Sequence, residues 1–171
     1  MEDITPSSPI PKEYQQVEWL KSSGTQYIDT GFTPNQNSRM FLDFEAITND
    51  ACVYAGARYA SADRAFTINC GSTPRRIVAA FGSATNTTLS STTPLGVGRC
   101  NVQIEKSGLY FNGDRIASAL QSSWSTSNSV VLFACMQFAK EISLYSSAKI
   151  YSCKIWDGET PVRDFIPCIR K

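Results

Sequence analysis

Residues 40–46 read Met40-Phe41-Leu42-Asp43-Phe44-Glu45-Ala46, and their side chains alternate. On an extended chain Met40, Leu42, Phe44 and Ala46 fall on one face, while Asp43 and Glu45 fall on the other. A period of two is what a strand with one buried face requires, and it disagrees with an amphipathic helix, whose apolar residues recur with a period near 3.6. The same pattern returns downstream. Cys100, Val102 and Ile104 alternate with Asn101, Gln103 and Glu105, then Lys106-Ser107-Gly108 supplies turn chemistry before Leu109-Tyr110-Phe111 begins the return. Asn112-Gly113 follows at once, two residues that tolerate positive φ, so Arg115-Ile116-Ala117 is predicted to run back antiparallel.

Residues 53–57, 65–70, 77–81, 130–134 and 149–156 complete the predicted strands, separated by Ser, Thr, Asn, Gly and Pro clusters. Residues 14–21 fit strand and helix spacing equally well. The Ser- and Thr-rich stretch 83–94 is predicted to be a long polar loop; its Asn86-Thr87-Thr88 matches a glycosylation sequon, read as accidental because no signal peptide precedes it. Many short strands without a convincing helix predict an all-β chain folded as an antiparallel sandwich or barrel.

Composition sets outer bounds on function. The chain has 171 residues, with 16 basic and 15 acidic side chains, a net charge of +1 and no histidine. A chain of this size buries roughly 70% of its unfolded surface and needs no metal or disulfide staple. A near-zero charge with scattered basic residues offers no field for nucleic acid. The lack of histidine removes Ser-His-Asp triads, Cys-His dyads and His-bearing zinc sites. The longest apolar run, residues 130–136, is far shorter than the ~20 residues of a membrane-spanning helix, so membrane insertion is not expected. Met1-Glu2-Asp3-Ile4-Thr5 lacks the basic and apolar character of an export signal. Residues 1–13, with Thr5-Pro6-Ser7-Ser8-Pro9-Ile10-Pro11, read as a Pro/Ser-rich arm or linker, and residues 14–171 as one domain. Cys52, Cys70, Cys100, Cys135, Cys153 and Cys168 are widely spaced with no Cys-x-x-Cys. Without a visible signal for an oxidising compartment they read as reduced packing residues.

Four stretches carry a family resemblance: Tyr14-Gln15-Gln16-Val17-Glu18-Trp19-Leu20, Ser23-Gly24-Thr25-Gln26-Tyr27-Ile28-Asp29-Thr30-Gly31, Lys149-Ile150-Tyr151-Ser152-Cys153-Lys154-Ile155-Trp156-Asp157, and Val162-Arg163-Asp164-Phe165-Ile166-Pro167-Cys168. They resemble the opening and closing motifs of concanavalin A-like, LamG-type jelly-roll domains found in phage structural proteins and gut-bacterial surface proteins. The resemblance implies a two-sheet antiparallel jelly roll whose first and last strands lie close together. It also implies use as a glycan-binding or assembly module on a virion or cell surface, with host-surface glycan or other virion or surface-protein subunits, or further copies of itself, as partners. Many relatives continue past the closing motif into a Gly- and Tyr-containing tail, so the resemblance also allows a missing terminal strand or one supplied by another subunit. Within the motifs, Asp157-Gly158-Glu159 reads as a hairpin tip, Pro161 as an edge-strand residue, and Arg163 with Asp164 as a structural pair or as caps on neighbouring strands.

Glucanases of this fold place carboxylates at alternate positions of one strand. The nearest match, Asp43-Phe44-Glu45, lacks a third acid and reads as the solvent face of a strand. Hydrolysis of a β-glucan therefore stands behind binding and assembly, and no catalytic residue is assigned. Sugar recognition calls instead for aromatic faces with planar hydrogen-bonding groups. Tyr54, Arg58, Tyr59 and Arg64 bracket one turn, and Trp124 stands in the polar segment Ser122-Ser123-Trp124-Ser125-Thr126, which makes these five the candidate ligand contacts. The competing readings are Tyr54 as a core strand residue and Trp124 as a lid over the sandwich edge. Asp29, Asp50 and Asp63 are the carboxylates a calcium ion would use, but they follow no regular ligand spacing, and no cofactor is expected.

Overall fold

A computed structural model describes residues 10–48, 50–59, 64–71, 76–82, 88–94, 98–118 and 123–171. In chain order the strands are β1 (Tyr14–Gln16), β2 (Leu20–Ser23), β3 (Ile28–Asp29), β4 (Ser38–Ala46), β5 (Cys52–Arg58), β6 (Ala65–Cys70), β7 (Arg76–Gly82), β8 (Thr88–Pro94) and β9 (Gly98–Glu105). There follow β10 (Gly108–Phe111), β11 (Asp114–Ser118), β12 (Val131–Leu132), β13 (Cys135–Met136), β14 (Ile142–Ser143), β15 (Ser147–Asp157), β16 (Thr160–Phe165) and β17 (Cys168–Arg170).

These strands form the expected all-β, two-sheet jelly-roll sandwich. One sheet has the order β11-β10-β9-β4-β15-β16, with β2 also paired to β15; the other has the order β14-β13-β5-β6-β7-β8, with β12 on β5 and β3 on β12. Alternation along β4 builds the first sheet as anticipated, with Met40, Leu42, Phe44 and Ala46 buried and Arg39, Phe41, Asp43 and Glu45 half-buried on the other face. Full burial of Met40, Leu42 and Phe44 stabilises by roughly 1.5–3 kcal/mol each. Phe44 meets Tyr54 of the opposite sheet with ring centroids 4.3 Å apart, so this pair ties the two layers together. The Asn112-Gly113 turn has φ of 50° and 91° and joins β10 to β11. The first and last strands are neighbours, Tyr14 lying opposite Arg170.

Three details depart from the sequence reading. Residues 130–134 do not form one strand: Phe133 at φ 66° turns the chain, so β12 pairs antiparallel with β5 whereas β13 pairs parallel with it. Much of the stretch read as a polar loop, Thr88–Pro94, is a strand paired with β7, in keeping with the sheet preference of β-branched Thr. The sequon residues Asn86 and Thr87 lie outside the described residues. Residues 14–21 hold β1 and the start of β2 with an irregular link at 17–19 and no helix, and residues 1–9 of the arm are likewise outside the description. Arg163 and Asp164 do not pair with each other: Arg163 donates to the Thr30 and Val162 carbonyls, while Asp164 faces Lys154 at 3.4 Å. Alternation places consecutive residues on opposite faces, which is why they part.

Register places the chain turns that matter at one end. β4 and β6 begin there, and β5, β7, β9 and β15 end there. Trp124 links the two sheets at this rim, accepting a backbone hydrogen bond from Gln36 and packing its indole on Phe66 and Phe81 at 6.2 and 5.3 Å.

Candidate functional site

Arg58 closes β5 and Arg64 precedes β6, which places both residues at the rim. Arg64 has φ 49°, a left-handed backbone uncommon outside glycine. In this conformation its guanidinium lies over the Tyr59 ring, 3.8 Å from the centroid. Phe138 arrives from a distant part of the chain and meets Tyr59 edge-on, with centroids 5.4 Å apart. It does so from a single 3-10 turn, Phe138–Lys140, in which Ala139 and Lys140 also have positive φ. Phe138 is 60% exposed, so an apolar ring stands open to solvent beside Tyr59.

Hydrogen bonds fix this arrangement from beneath. Arg58 donates from Nε and Nη2 to Gln137 Oε1 at 3.0 and 2.6 Å. The buried Asn128 amide donates to the carbonyls of Arg58 and Gln137 at 2.7 and 2.6 Å, stitching the β5 end to the turn that carries Phe138. With the supporting shell satisfied, the exposed groups are held in place before any ligand arrives. Arg58, Arg64 and Lys140 bring positive charge to an aromatic surface, and Glu141 is the nearest described acid along the chain.

Of the five sequence candidates, the structure brings Arg58, Tyr59 and Arg64 together and removes two from the surface. Tyr54 is fully buried, its ring against Phe44, so the core-strand reading holds for it. Trp124 is 4% exposed between Phe66 and Phe81 and acts as the lid of the sandwich. Neither presents a ring face to a sugar in this arrangement, because packing of the core has claimed both. Sequence reasoning missed Phe138, Gln137 and Asn128. An aromatic set off from an apolar run by the polar Gln137 and followed by Ala-Lys was the available signal for Phe138.

The acidic pair on β4 is occupied by structural partners. Arg99 grips Asp43 with two hydrogen bonds of 2.9 and 2.8 Å and stacks on Tyr151 at 3.8 Å. Glu45 accepts from the Tyr151 hydroxyl at 2.9 Å and from Lys149 at 3.1 and 3.2 Å, and Lys149 in turn lies over Trp19 at 5.2 Å. The Tyr151 hydrogen bond, then that of Lys149, holds the Glu45 carboxyl below the usual carboxylate range. A general acid needs the opposite displacement.

Among the described residues, no cluster of His, Cys, Asp and Glu is arranged to hold a metal ion. Asp29 is engaged by the Gly31 amide at 2.9 Å and the Ser129 hydroxyl at 2.6 Å, Asp50 is exposed, and Asp63 is outside the described residues. None of the six cysteines is joined in a disulfide. Cys135 and Cys153 are driven by burial up to about 12, which keeps them protonated and inert at neutral pH.

Neither a family model nor a curated protein sequence matches the chain. Solved structures do resemble it. The CBM40 of Ruminococcus gnavus IT-sialidase bound to α2,3-sialyllactose superposes with a TM-score of 0.58 at 14% identity, over 84% of this chain and 91% of that one. The same module bound to α2,6-sialyllactose gives a TM-score of 0.57 at 14% identity, over 84% of this chain and 92% of that one. At this identity the likeness establishes the shared sandwich fold and assigns no residue a role.

Proposed function

We propose that this domain is a non-catalytic glycan-binding module, holding an acidic sugar at the Tyr59–Arg64 rim and serving on a virion appendage or bacterial surface. One observation carries the reading. The Arg64 guanidinium is stacked on Tyr59 at 3.8 Å beside an exposed Phe138, so cations and aromatic surface are offered together on a braced scaffold. Aromatic rings receive the C–H patches of a pyranose, and guanidinium groups pair with carboxylate and hydroxyl oxygens. The sandwich is shared with CBM40 modules that hold sialyllactose, which supports both the glycan and its negative charge. The depressed Glu45 and the clamped Asp43 support a binding role over hydrolysis. The virion or surface setting is supported by the resemblance of the terminal motifs alone.

A multivalent glycan array tests this directly. Sialylated glycans are expected to give signal that Arg64→Ala weakens about tenfold, and that removal of the terminal acidic sugar reduces. Background-level binding across acidic glycans would overturn the reading.

An assembly role is the second reading, favoured by one observation: Tyr14 and Ile169 stand exposed on the paired β1 and β17. Light scattering of the full chain and of a chain lacking residues 1–11 separates the two. Assembly predicts an oligomer that the truncation weakens, while a sugar site predicts retained glycan binding.

A further inference from the structure

We propose that a second sugar-binding site, for a neutral pyranose, lies in the cleft between the β9–β10 and β15–β16 turns, on the same rim. It rests on reading the domain as a glycan-binding module, but not on the Tyr59–Arg64 cluster. The cleft has a volume of about 370 Å³ and is lined by Asn37, Arg39, Glu105, Lys106, Gly158 and Glu159 among others. That lies within the range of small-molecule sites, about 300–1,000 Å³.

Its chemistry comes from an ion pair held apart. Arg39 lies over the Trp156 indole, 4.2 Å from the centroid, which fixes the plane of the guanidinium. Arg39 Nη1 is 3.9 Å from Glu105 Oε2, too far for a hydrogen bond, and Arg39 Nε is buried with no hydrogen-bond partner. Glu105 does not close the gap because other groups hold it: Gln103 Nε2 donates to Oε2 at 3.0 Å, and the Ser107 hydroxyl donates to Oε1. A donor fork and an acceptor carboxylate thus face one another with their own bond unmade. A hydroxyl both accepts and donates, so it can take a proton from Arg39 in hydrogen bonding while giving its own to Glu105. Adjacent ring hydroxyls suit two such partners at once.

Charge selects against other small ligands. Arg39 and Lys106 oppose a cation, and Glu105 and Glu159 oppose an anion, whereas an uncharged polyol meets neither penalty. Gly158 has φ 59°, and a side chain built there would meet nothing within 4 Å, which leaves that wall open to a ring.

Amide and side-chain NMR of the full chain, titrated with galactose, glucose, mannose, N-acetylglucosamine and lactose, tests the proposal. At least one neutral sugar is expected to shift the Arg39 Nε–H, the Trp156 indole and the Gly158 amide. Arg39→Lys keeps the charge but loses the fork, and Gly158→Asn tolerates the left-handed backbone while filling the wall; each is expected to weaken that response about tenfold. Unchanged melting temperature in Gly158→Asn would separate lost binding from lost folding. Shifts confined to Tyr59, Arg64 and Phe138, shifts here with a zwitterionic amino acid in place of every sugar, or none in the cleft would overturn it. Failure of the Tyr59–Arg64 reading would appear separately, as silence of those residues toward sialyllactose.

Discussion

Arg64 and Tyr59 lie between β5 and β6, and the guanidinium of the first lies 3.8 Å from the ring centre of the second. The contact orders both side chains without help from a ligand. A site whose side chains are already immobilised loses less entropy on binding. Arg64→Ala and Tyr59→Ala are each expected to weaken sialyllactose binding about tenfold, and the double variant to lose little more, because the two act as one unit. Isothermal titration calorimetry of the four proteins gives the coupling directly; fully additive losses would show independent contacts.

Trp124 gives the opposite expectation. Packed between Phe66 and Phe81 and 4% exposed, it belongs to the core. Trp124→Ala should destabilise the fold by about 3–5 kcal/mol in urea denaturation. The milder Trp124→Phe should keep glycan affinity within about twofold of the parent. A Trp124→Phe protein that keeps its stability and loses its ligand would return this residue to the site.

Glu45 provides a titration that distinguishes binding from hydrolysis. Its carboxyl is held below 4.5, mainly by the Tyr151 hydroxyl and next by Lys149. A depressed folded value stabilises the protein above the unfolded value, and that contribution disappears as pH falls through the folded one. Carboxyl NMR should therefore place the midpoint below 4.5 and move it upward in Tyr151→Phe. A midpoint well above 4.5 would restore Glu45 as a candidate acid for glycoside hydrolysis.

The thiols should differ in reach. Cys168 is half-buried, while Cys135 and Cys153 are buried with values raised to about 12. A thiol reagent at pH 8 is expected to modify Cys168 first and to reach all six only in denaturant. Fewer than six reactive thiols in denaturant, without reductant, would reveal a disulfide.

Gly108 tests the β10–β11 hairpin. It has φ 151°, and a Cβ there would strike the Ala117 carbonyl oxygen of β11. Gly108→Ala should cost on the order of 3 kcal/mol, read by urea denaturation, since backbone strain and a clash with main chain combine. A loss below about 1 kcal/mol would mean that the hairpin moves aside easily.

Much of the sandwich was legible because alternation is a local property. Met40, Leu42 and Phe44 reveal their face without knowledge of what covers it, and Asn112-Gly113 reveals its turn from two residues. The split of residues 130–134 was hidden, since nothing nearby announces that Phe133 takes φ 66° to serve two pairings with β5. The strand Thr88–Pro94 was hidden by its Ser and Thr content, whose pairing partner on β7 decides its state. The site was half legible for the same reason. Arg58, Tyr59 and Arg64 are close in sequence, whereas Phe138 and Asn128 reach them only through tertiary folding. Composition could not tell the buried Tyr54 and Trp124 from the half-buried Tyr59, because an aromatic beside a turn looks alike in both settings.

The central claim is that Tyr59, Arg64 and Phe138 form the surface on which an acidic glycan rests. A saturation-transfer and amide-shift titration with α2,3-sialyllactose tests it most directly. Saturable shifts centred on Tyr59, Arg64, Gln137 and Phe138 are expected, weakened about tenfold in Tyr59→Ala, with the sugar recovered intact. Binding centred elsewhere, binding unaffected by Tyr59→Ala, or no saturable response at millimolar ligand would contradict it.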